Sequence, residues 1–272
     1  MTNHVILITG ASSGIGYTTA KALAAKGHCV YAAARRVDKL ADLITEGIHP
    51  ITLDITDSNA IHTCVQQIID EQGRFDSLIN NAGYGFYGPV EDVSLSDARR
   101  QFDVNLFGLA ELTQAVLPYM REQQSGRIIN VGSMGGRFTS YFGGWYHATK
   151  YALEAYSDAL RMEVANFGIQ VVLVEPGLIK TDWGLIAANH LAAGSQNTAY
   201  ADATEKSAKQ LRDMYQSSRP SDPSIIARTL VTASATAKPR PRYLVGYGAK
   251  VLVFLHWLLP TRWFDRLMRR MG

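Results

Sequence analysis

The segment Trp145-Tyr146-His147-Ala148-Thr149-Lys150 sets a phenol and an ammonium four residues apart. On an α-helix, positions i and i+4 share a face, so both groups can reach one spot. A phenol titrates near ~10 and a lysine near ~10.4. A cation beside the phenol stabilises phenolate, so Lys150 is expected to lower the pKa of Tyr146 and make it a usable acid or base near neutrality. Ser133, which ends an apolar run upstream, could hydrogen-bond a carbonyl oxygen and hold it at the phenol; it could equally form an ordinary turn. Tyr146 is thus a candidate general acid or base. His147, one step along the helix, points about 100° away and is expected at a surface or interface. No Gly-x-Ser-x-Gly elbow supports serine hydrolysis, and the seven histidines are too scattered to suggest a metal.

These groups need a scaffold. The 272 residues, 47% hydrophobic and 19% charged, are enough for one α/β domain with a sizeable core. A net charge of +3 is too small to argue for nucleic acid. Cys29 and Cys64 lie in apolar surroundings without ligand spacing and read as free thiols. The N-terminus runs straight into a strand with no leader pattern, so a cytoplasmic protein is expected. Short apolar runs at Val5–Ile8, Val30–Ala34, Ile51–Leu53, Leu78–Asn80, Arg127–Val131, Val171–Val174 and Arg242–Val245 alternate with amphipathic stretches. Strands apolar on both faces belong to a parallel sheet covered by helices. The expected fold is therefore α/β: a single doubly wound Rossmann-type domain, 1–272, with a mostly parallel seven-stranded sheet. Helices are expected over Tyr17–Lys26, between an N-cap at Asp57 and a stop at Gly73, over Ala98–Met120 and over Tyr146–Asn166.

The first strand-to-helix turn is Thr9-Gly10-Ala11-Ser12-Ser13-Gly14-Ile15-Gly16. Glycines let backbone N–H groups approach a pyrophosphate, and the helix N-terminus adds a favourable dipole. The Gly-x-x-x-Gly-x-Gly spacing together with Tyr-x-x-x-Lys resembles the short-chain dehydrogenase/reductase family. Further segments match in order: Asn80-Asn81-Ala82-Gly83, Asn105, Ser133, then Pro176-Gly177 and Thr181, over roughly residues 4 to 185. The resemblance implies catalysis by Asn105, Ser133, Tyr146 and Lys150, with Asn105 completing a water-linked proton relay to Lys150; a side chain satisfying a local backbone kink is the alternative. It implies nicotinamide dinucleotide contacts by Gly10, Ser12, Ser13, Gly14, Ile15, Gly16, Asp54, Ile55, Asn81, Ala82, Gly83, Tyr146, Lys150, Pro176, Gly177, Ile179 and Thr181. Asp54 could instead serve the start of the next helix. Where an NAD-binding strand ends in a carboxylate, this one ends Ala34-Arg35-Arg36, so NADP(H) is the expected cofactor, the two guanidiniums gripping a 2′-phosphate. The alternative is a solvated pair opening the next helix.

Around this centre the sequence is aromatic and apolar, without an arginine clamp. Tyr84, Phe86, Met134 and Trp183 are expected to join Ser133 and Tyr146 against substrate. An uncharged, fairly hydrophobic ketone, aldehyde or secondary alcohol fits, and the segment 81–88 resembles the hydroxysteroid and retinol branch of the family. Residues 184–223 sit where the family keeps a substrate lid. The C-terminal segment, 248–272, alternates apolar residues with arginines, which is compatible with capping the pocket, packing on a partner subunit or lying on an anionic membrane surface; its apolar run is too short to span a bilayer. The resemblance implies a homodimer or homotetramer through the helices at 98–120 and 146–166. A catalytically silent NADP(H)-binding sensor is the alternative function.

Overall fold

The computed structural model describes residues 3–271. Seven strands appear among them: β1 (Val5–Thr9), β2 (Cys29–Ala34), β3 (His49–Thr52), β4 (Ser77–Asn80), β5 (Gly126–Val131), β6 (Ile169–Pro176) and β7 (Arg242–Val245). They form one sheet in the order β3-β2-β1-β4-β5-β6-β7, with each adjacent pair parallel. The helices are α1 (Gly14–Ala24), α2 (Ala41–Ile44), α3 (Ser58–Gln72), α4 (Leu95–Phe102), α5 (Gly108–Glu122), α6 (Gly144–Val164), α7 (Trp183–Gly194), α8 (Ala201–Gln216), α9 (Ser224–Ala235), α10 (Ala249–Leu258) and α11 (Thr261–Met271).

Strand residues alternate between two cores because successive side chains leave a strand on opposite faces. Leu7, Tyr31, Leu78 and Ile128 point to one side, where α3, α5 and α6 supply Ile61, Val65, Leu112, Val116 and Leu160. Ile6, Ile8, Ile79, Ile129 and Val172 point to the other, covered by Leu23 of α1 and Ile226 and Leu230 of α9. Burying each such side chain contributes about 1.5–3 kcal/mol. Strand order reverses between β1 and β4, so the loops after them diverge and leave a crevice at the carboxyl edge of the sheet.

Buried polar groups fix the registers around that crevice. Asn80 Nδ2 donates to Asn130 Oδ1 at 2.9 Å and Thr113 Oγ1 at 3.1 Å, and Asn130 Nδ2 donates to Ser157 Oγ at 2.9 Å, locking β4, β5, α5 and α6 together. Asp57 caps α3 by accepting from the Ala60 N–H, and Gly73 ends it with φ +66°, as the sequence suggests. Helix α1 starts at Gly14, earlier than expected, because the turn of the glycine loop is already its first turn. The stretch 98–120 is interrupted: a π-turn at Asp103–Phe107 separates α4 from α5. Asn105, where the sequence offered a backbone kink as the alternative to a relay, lies in the middle of this break.

Gly108 opens α5 directly against the loop after β3, where a Cβ would sit 2.0 Å from the Ile55 carbonyl oxygen. An ordinary glycine-to-alanine change in a helix stabilises by about 1 kcal/mol. Gly108→Ala should instead destabilise by about 1–3 kcal/mol through overpacking. Thermal unfolding checks this; a Tm equal to or above wild type would show that α5 does not press on that loop.

Candidate active site

The glycine loop has the backbone needed for close approach. Gly10 and Gly14 take φ of +66° and +56°, a region that strains residues bearing a Cβ. A Cβ at Gly16 would lie 2.4 Å from the Gly10 carbonyl oxygen, so the loop can curl over α1 only with glycine there. The opposite wall is pinned to it: Thr9 Oγ1 accepts from the N–H groups of Asn81 and Ala82, both at 3.0 Å, and Asn81 Nδ2 donates to the Thr9 carbonyl at 2.9 Å. The Ser13 side chain makes no cap bond to α1 and lies in the cleft wall with Gly10, Gly14 and Ile15. These groups could cradle a pyrophosphate at the helix N-terminus.

Ser133, Tyr146 and Lys150 meet deeper in the same cleft, whose volume is about 390 Å³. Tyr146 and Lys150 sit one turn apart on α6, and both are buried. Ser133 is in hydrogen-bond contact with the phenol, and its Oγ also accepts the Gly135 N–H at 3.0 Å. The Lys150 ammonium donates to the Val131 carbonyl at 3.0 Å and lies 6.0 Å from the centroid of the Tyr146 ring. Burial pushes the ammonium down to about 8, with Glu154 opposing. The expected lowering of the Tyr146 pKa is not found. Burial, with Tyr87 adding to it, pushes the phenol above its ordinary value, and only the contact with Ser133 works the other way. Desolvation disfavours phenolate more than a lysine held at β5 can favour it. Tyr146 is therefore held as the neutral phenol, the form that can donate.

Most of the expected residues converge. Asn81, Ala82, Gly83, Tyr84, Ser133, Met134, Pro176, Gly177, Ile179, Thr181 and Trp183 line the cleft together with the loop, the phenol and the lysine. Ser12, Gly16, Arg35, Arg36, Asp54, Ile55, Phe86 and Asn105 do not form its wall. Gly16 acts through the loop it allows. Arg35 and Arg36 are exposed just beyond β2. Burial favours the neutral carboxyl of Asp54, but hydrogen bonds from the Thr56 N–H and hydroxyl, with the charges of Arg35 and Arg100, outweigh it and hold the pKa below the usual range. Asp54 thus closes its own turn and faces Arg35, while Asp57 caps the helix. Ile55 is buried beneath Gly108.

Phe86 is not part of the cleft wall; its ring packs 4.5 Å from that of His190, and its N–H donates to Gln101 Oε1. His147 is buried and not at the surface. Its Nδ1 bonds the Gly135 carbonyl at 2.8 Å, and its Nε2 accepts the Ser140 N–H at 3.0 Å. Burial keeps the ring neutral, which suits an imidazole that donates at one nitrogen and accepts at the other. It thereby staples the segment carrying Ser133 to the helix carrying Tyr146. Asn105 serves the kink: on the π-turn, its Oδ1 accepts the Tyr84 N–H at 3.0 Å, and its Nδ2 donates to the Tyr84 carbonyl at 2.9 Å and Thr149 Oγ1 at 3.1 Å. Both amide protons of its side chain are spent on this clamp.

The cleft wall also includes Leu211, Met214 and Tyr215 of α8, in the segment expected as a lid, and Leu252 of α10 with Met268 and Met271 of α11, in the C-terminal segment expected as a possible cap. They lie far along the chain, and only tertiary packing brings them here. Tyr87 and Trp183 flank the phenol, with ring centroids 5.8 and 4.9 Å from it. Among the described residues, Lys150 and Asp182 are the only charged ones in the wall.

Behind Lys150, one turn on, lies a charge cluster. Arg242 Nη2 bonds Glu154 Oε2 and Asp158 Oδ2, each at 2.8 Å, and Arg137 meets Glu175 at 3.2 Å. Burial, then the Glu175 carboxylate, push Glu154 up to about 8 despite Arg242. A carboxyl with a raised folded pKa binds more protons folded than unfolded, so its stabilisation is lost as pH rises toward 8. Glu154→Gln should therefore gain Tm relative to wild type as pH increases from about 5 to 8. Parallel Tm–pH curves for the two proteins would contradict the assignment.

A doubly wound parallel sheet with a glycine-lined crevice at its switch point places the molecule among nucleotide-binding α/β proteins. The chain belongs to the short chain dehydrogenase family, whose model its residues 4–216 match, and this makes it an oxidoreductase by family. It is 41% identical over 209 residues to a 3-ketodihydrosphingosine reductase of Bacteroides thetaiotaomicron, spanning 77% of this chain and 76% of that one. A short-chain dehydrogenase from Streptomyces avermitilis superposes with a TM-score of 0.83 at 35% identity, over 94% of this chain and 93% of that one. A serine dehydrogenase solved with NADP+ superposes with a TM-score of 0.76 at 27% identity, over 89% and 94%.

Proposed function

We propose that the protein is an NADPH-dependent oxidoreductase acting on an uncharged, hydrophobic ketone, aldehyde or secondary alcohol. The observation that carries this reading is the buried phenol of Tyr146, in contact with Ser133 and one turn from Lys150, at the inner end of an apolar cleft that begins at the glycine loop. The loop fits a dinucleotide, since Gly10, Gly14 and Gly16 let it curl tightly against Asn81, Ala82 and Thr181 at the N-terminus of α1. When bound, the dinucleotide supplies or accepts the hydride. Ser133 holds the carbonyl oxygen of the substrate within reach of the phenol. As the carbonyl carbon gains hydride, the Tyr146 O–H bond breaks and its proton goes to oxygen, giving the alcohol; oxidation runs the same transfer backward. The positive charge of Lys150 stabilises the phenolate left behind.

Arg35 and Arg36, with no carboxylate at the end of β2, support NADP(H), as does the NADP+-bound neighbour. In this reading they hold the 2′-phosphate, and Asp54 and Ile55 line the adenine end. The wall of Tyr84, Met134, Trp183 and Tyr215 supports an apolar substrate, and the relative named for a keto-sphingoid is one precedent for a ketone. Helices α7 and α8, within 184–223, would serve as a lid over it. In the segment 248–272, of which Gly272 lies outside the described residues, α10 and α11 close its far end. Exposed Phe107, Tyr151 and Met162 on or beside α5 and α6 support a homodimer or homotetramer through those helices. The free Cys29 and Cys64 suit a reducing compartment, which supports a cytoplasmic location.

An NADPH-oxidation screen over ketones, aldehydes, quinones, steroids and retinoids tests the reaction. Tyr146→Phe should lower turnover by roughly 10²–10⁴-fold while NADPH still binds. Retention of more than about a tenth of the rate would remove the acid–base role. Wild-type NADPH binding without turnover across the screen would favour the silent sensor. Arg35→Asp should move the ratio of NADPH to NADH efficiency toward NADH by about 10- to 100-fold, the loss of a charge-assisted hydrogen bond. An unchanged ratio would contradict the cofactor assignment.

A further inference from the structure

The C-terminal hairpin has two faces, and the cleft uses one. Phe264 and Met268 of α11 are buried against Phe138, and Leu252 and Met268 line the cleft. On the other side of α10, Val251, Phe254, Trp257 and Leu258 form one stripe at i, i+3, i+6 and i+7, each more than half exposed. Trp257 at 78% and Trp263 at 63% are the most exposed aromatic rings among the described residues. Arg262, Arg266, Arg269 and Arg270 fall at i, i+4, i+7 and i+8 on α11, a single exposed face, and Lys250 begins α10.

Charge identifies the occupant. Residues 249–271 hold five Lys and Arg against one carboxylate, Asp265, a balance of +4. The whole chain has 27 cations and 24 carboxylates, so the remainder is left with 22 and 23, or −1. The positive charge of the protein is thus concentrated on this hairpin, and among the described residues none of the five cations pairs with a carboxylate. Arg269 instead lies 5.9 Å from the Tyr141 ring. A second copy of the chain, docking this face on itself, would set +4 against +4. An anionic lipid surface complements it, with tryptophans at the headgroup level and arginines toward phosphate. Among the described residues no helix is long and apolar enough to cross a membrane, so the contact is peripheral.

We propose that α10 and α11 dock the protein on an anionic lipid surface, with the stripe of Val251, Phe254, Trp257 and Leu258 entering the headgroup region. The same two helices close the cleft from the other side, so its apolar end lies against the lipid. This deepens the substrate reading above and rests on it: the natural substrate is a carbonyl compound dissolved in the bilayer, delivered past Leu252 and Met271.

Co-sedimentation of the full-length protein, without substrate, with vesicles of phosphatidylcholine alone or mixed with phosphatidylglycerol tests the docking. Binding is expected to the mixed vesicles, weakly to the neutral ones, and less in high salt. Arg262→Gln/Arg266→Gln/Arg270→Gln should weaken partition by about 30-fold or more, and Trp257→Ser/Trp263→Ser by about tenfold. All five positions are exposed and outside the cleft wall, so both variants should keep wild-type turnover of a water-soluble carbonyl substrate. Absence of binding to the mixed vesicles, or binding that neither variant reduces, overturns the proposal. So does wild-type self-association in sedimentation velocity that the tryptophan pair abolishes, which would give the surface to a second copy. Vesicle binding without carbonyl turnover would instead leave the docking intact and sink the proposed reaction.

Discussion

Everything near the site follows from placing an ammonium and a phenol, both buried, side by side at the wall of one cleft. Lys150 is 7% exposed, and its ammonium donates to the Val131 carbonyl. A buried charge of this kind persists only when its surroundings are fixed in place. The strand that offers the carbonyl and the helix that carries the lysine must therefore keep their registers. The buried hydrogen bonds joining Asn80, Asn130 and Ser157 do that, tying β4 and β5 to α6.

Helix α6 distributes the work by face. Tyr146 and Lys150 look into the cleft. His147 holds the segment bearing Ser133, so the serine and the phenol are set relative to one another by a single imidazole. Thr149 accepts from Asn105, which grips the backbone on both sides of Tyr84 and shapes the wall after β4. Glu154 and Asp158 reach Arg242 on β7, the last strand of the sheet. One helix thus contacts the sheet edge, the serine segment and the π-turn at once, and a change at any of these contacts is felt at the phenol.

The sheet was legible because each strand is a short apolar run with no competing period, as in Val5–Ile8 and Val171–Val174. The glycine loop and Tyr146–Lys150 were legible because their chemistry depends on spacing within one element. Other features depend on what packs opposite. His147 turns 100° from Tyr146, which on a half-exposed helix would mean solvent, but α6 is covered on that side by the segment 133–143. Phe86 belongs to the aromatic run after β4, yet His190 and Gln101 claim it. The direction of the Tyr146 shift followed from burial, which no pattern of residues encodes. The contributions of Met214, Leu252 and Met268 to the cleft required helices distant in sequence to fold back over it.

In the proposed reaction, one phenol delivers its proton in the step in which hydride reaches carbon. Single-turnover rates of NADPH oxidation with the best carbonyl substrate, in H2O and D2O and with deuterium at the transferred position, test it most directly. Both isotopes should slow the same step, and Tyr146→Phe should remove the solvent effect along with the rate. A full isotope effect from the dinucleotide with none from solvent would contradict it.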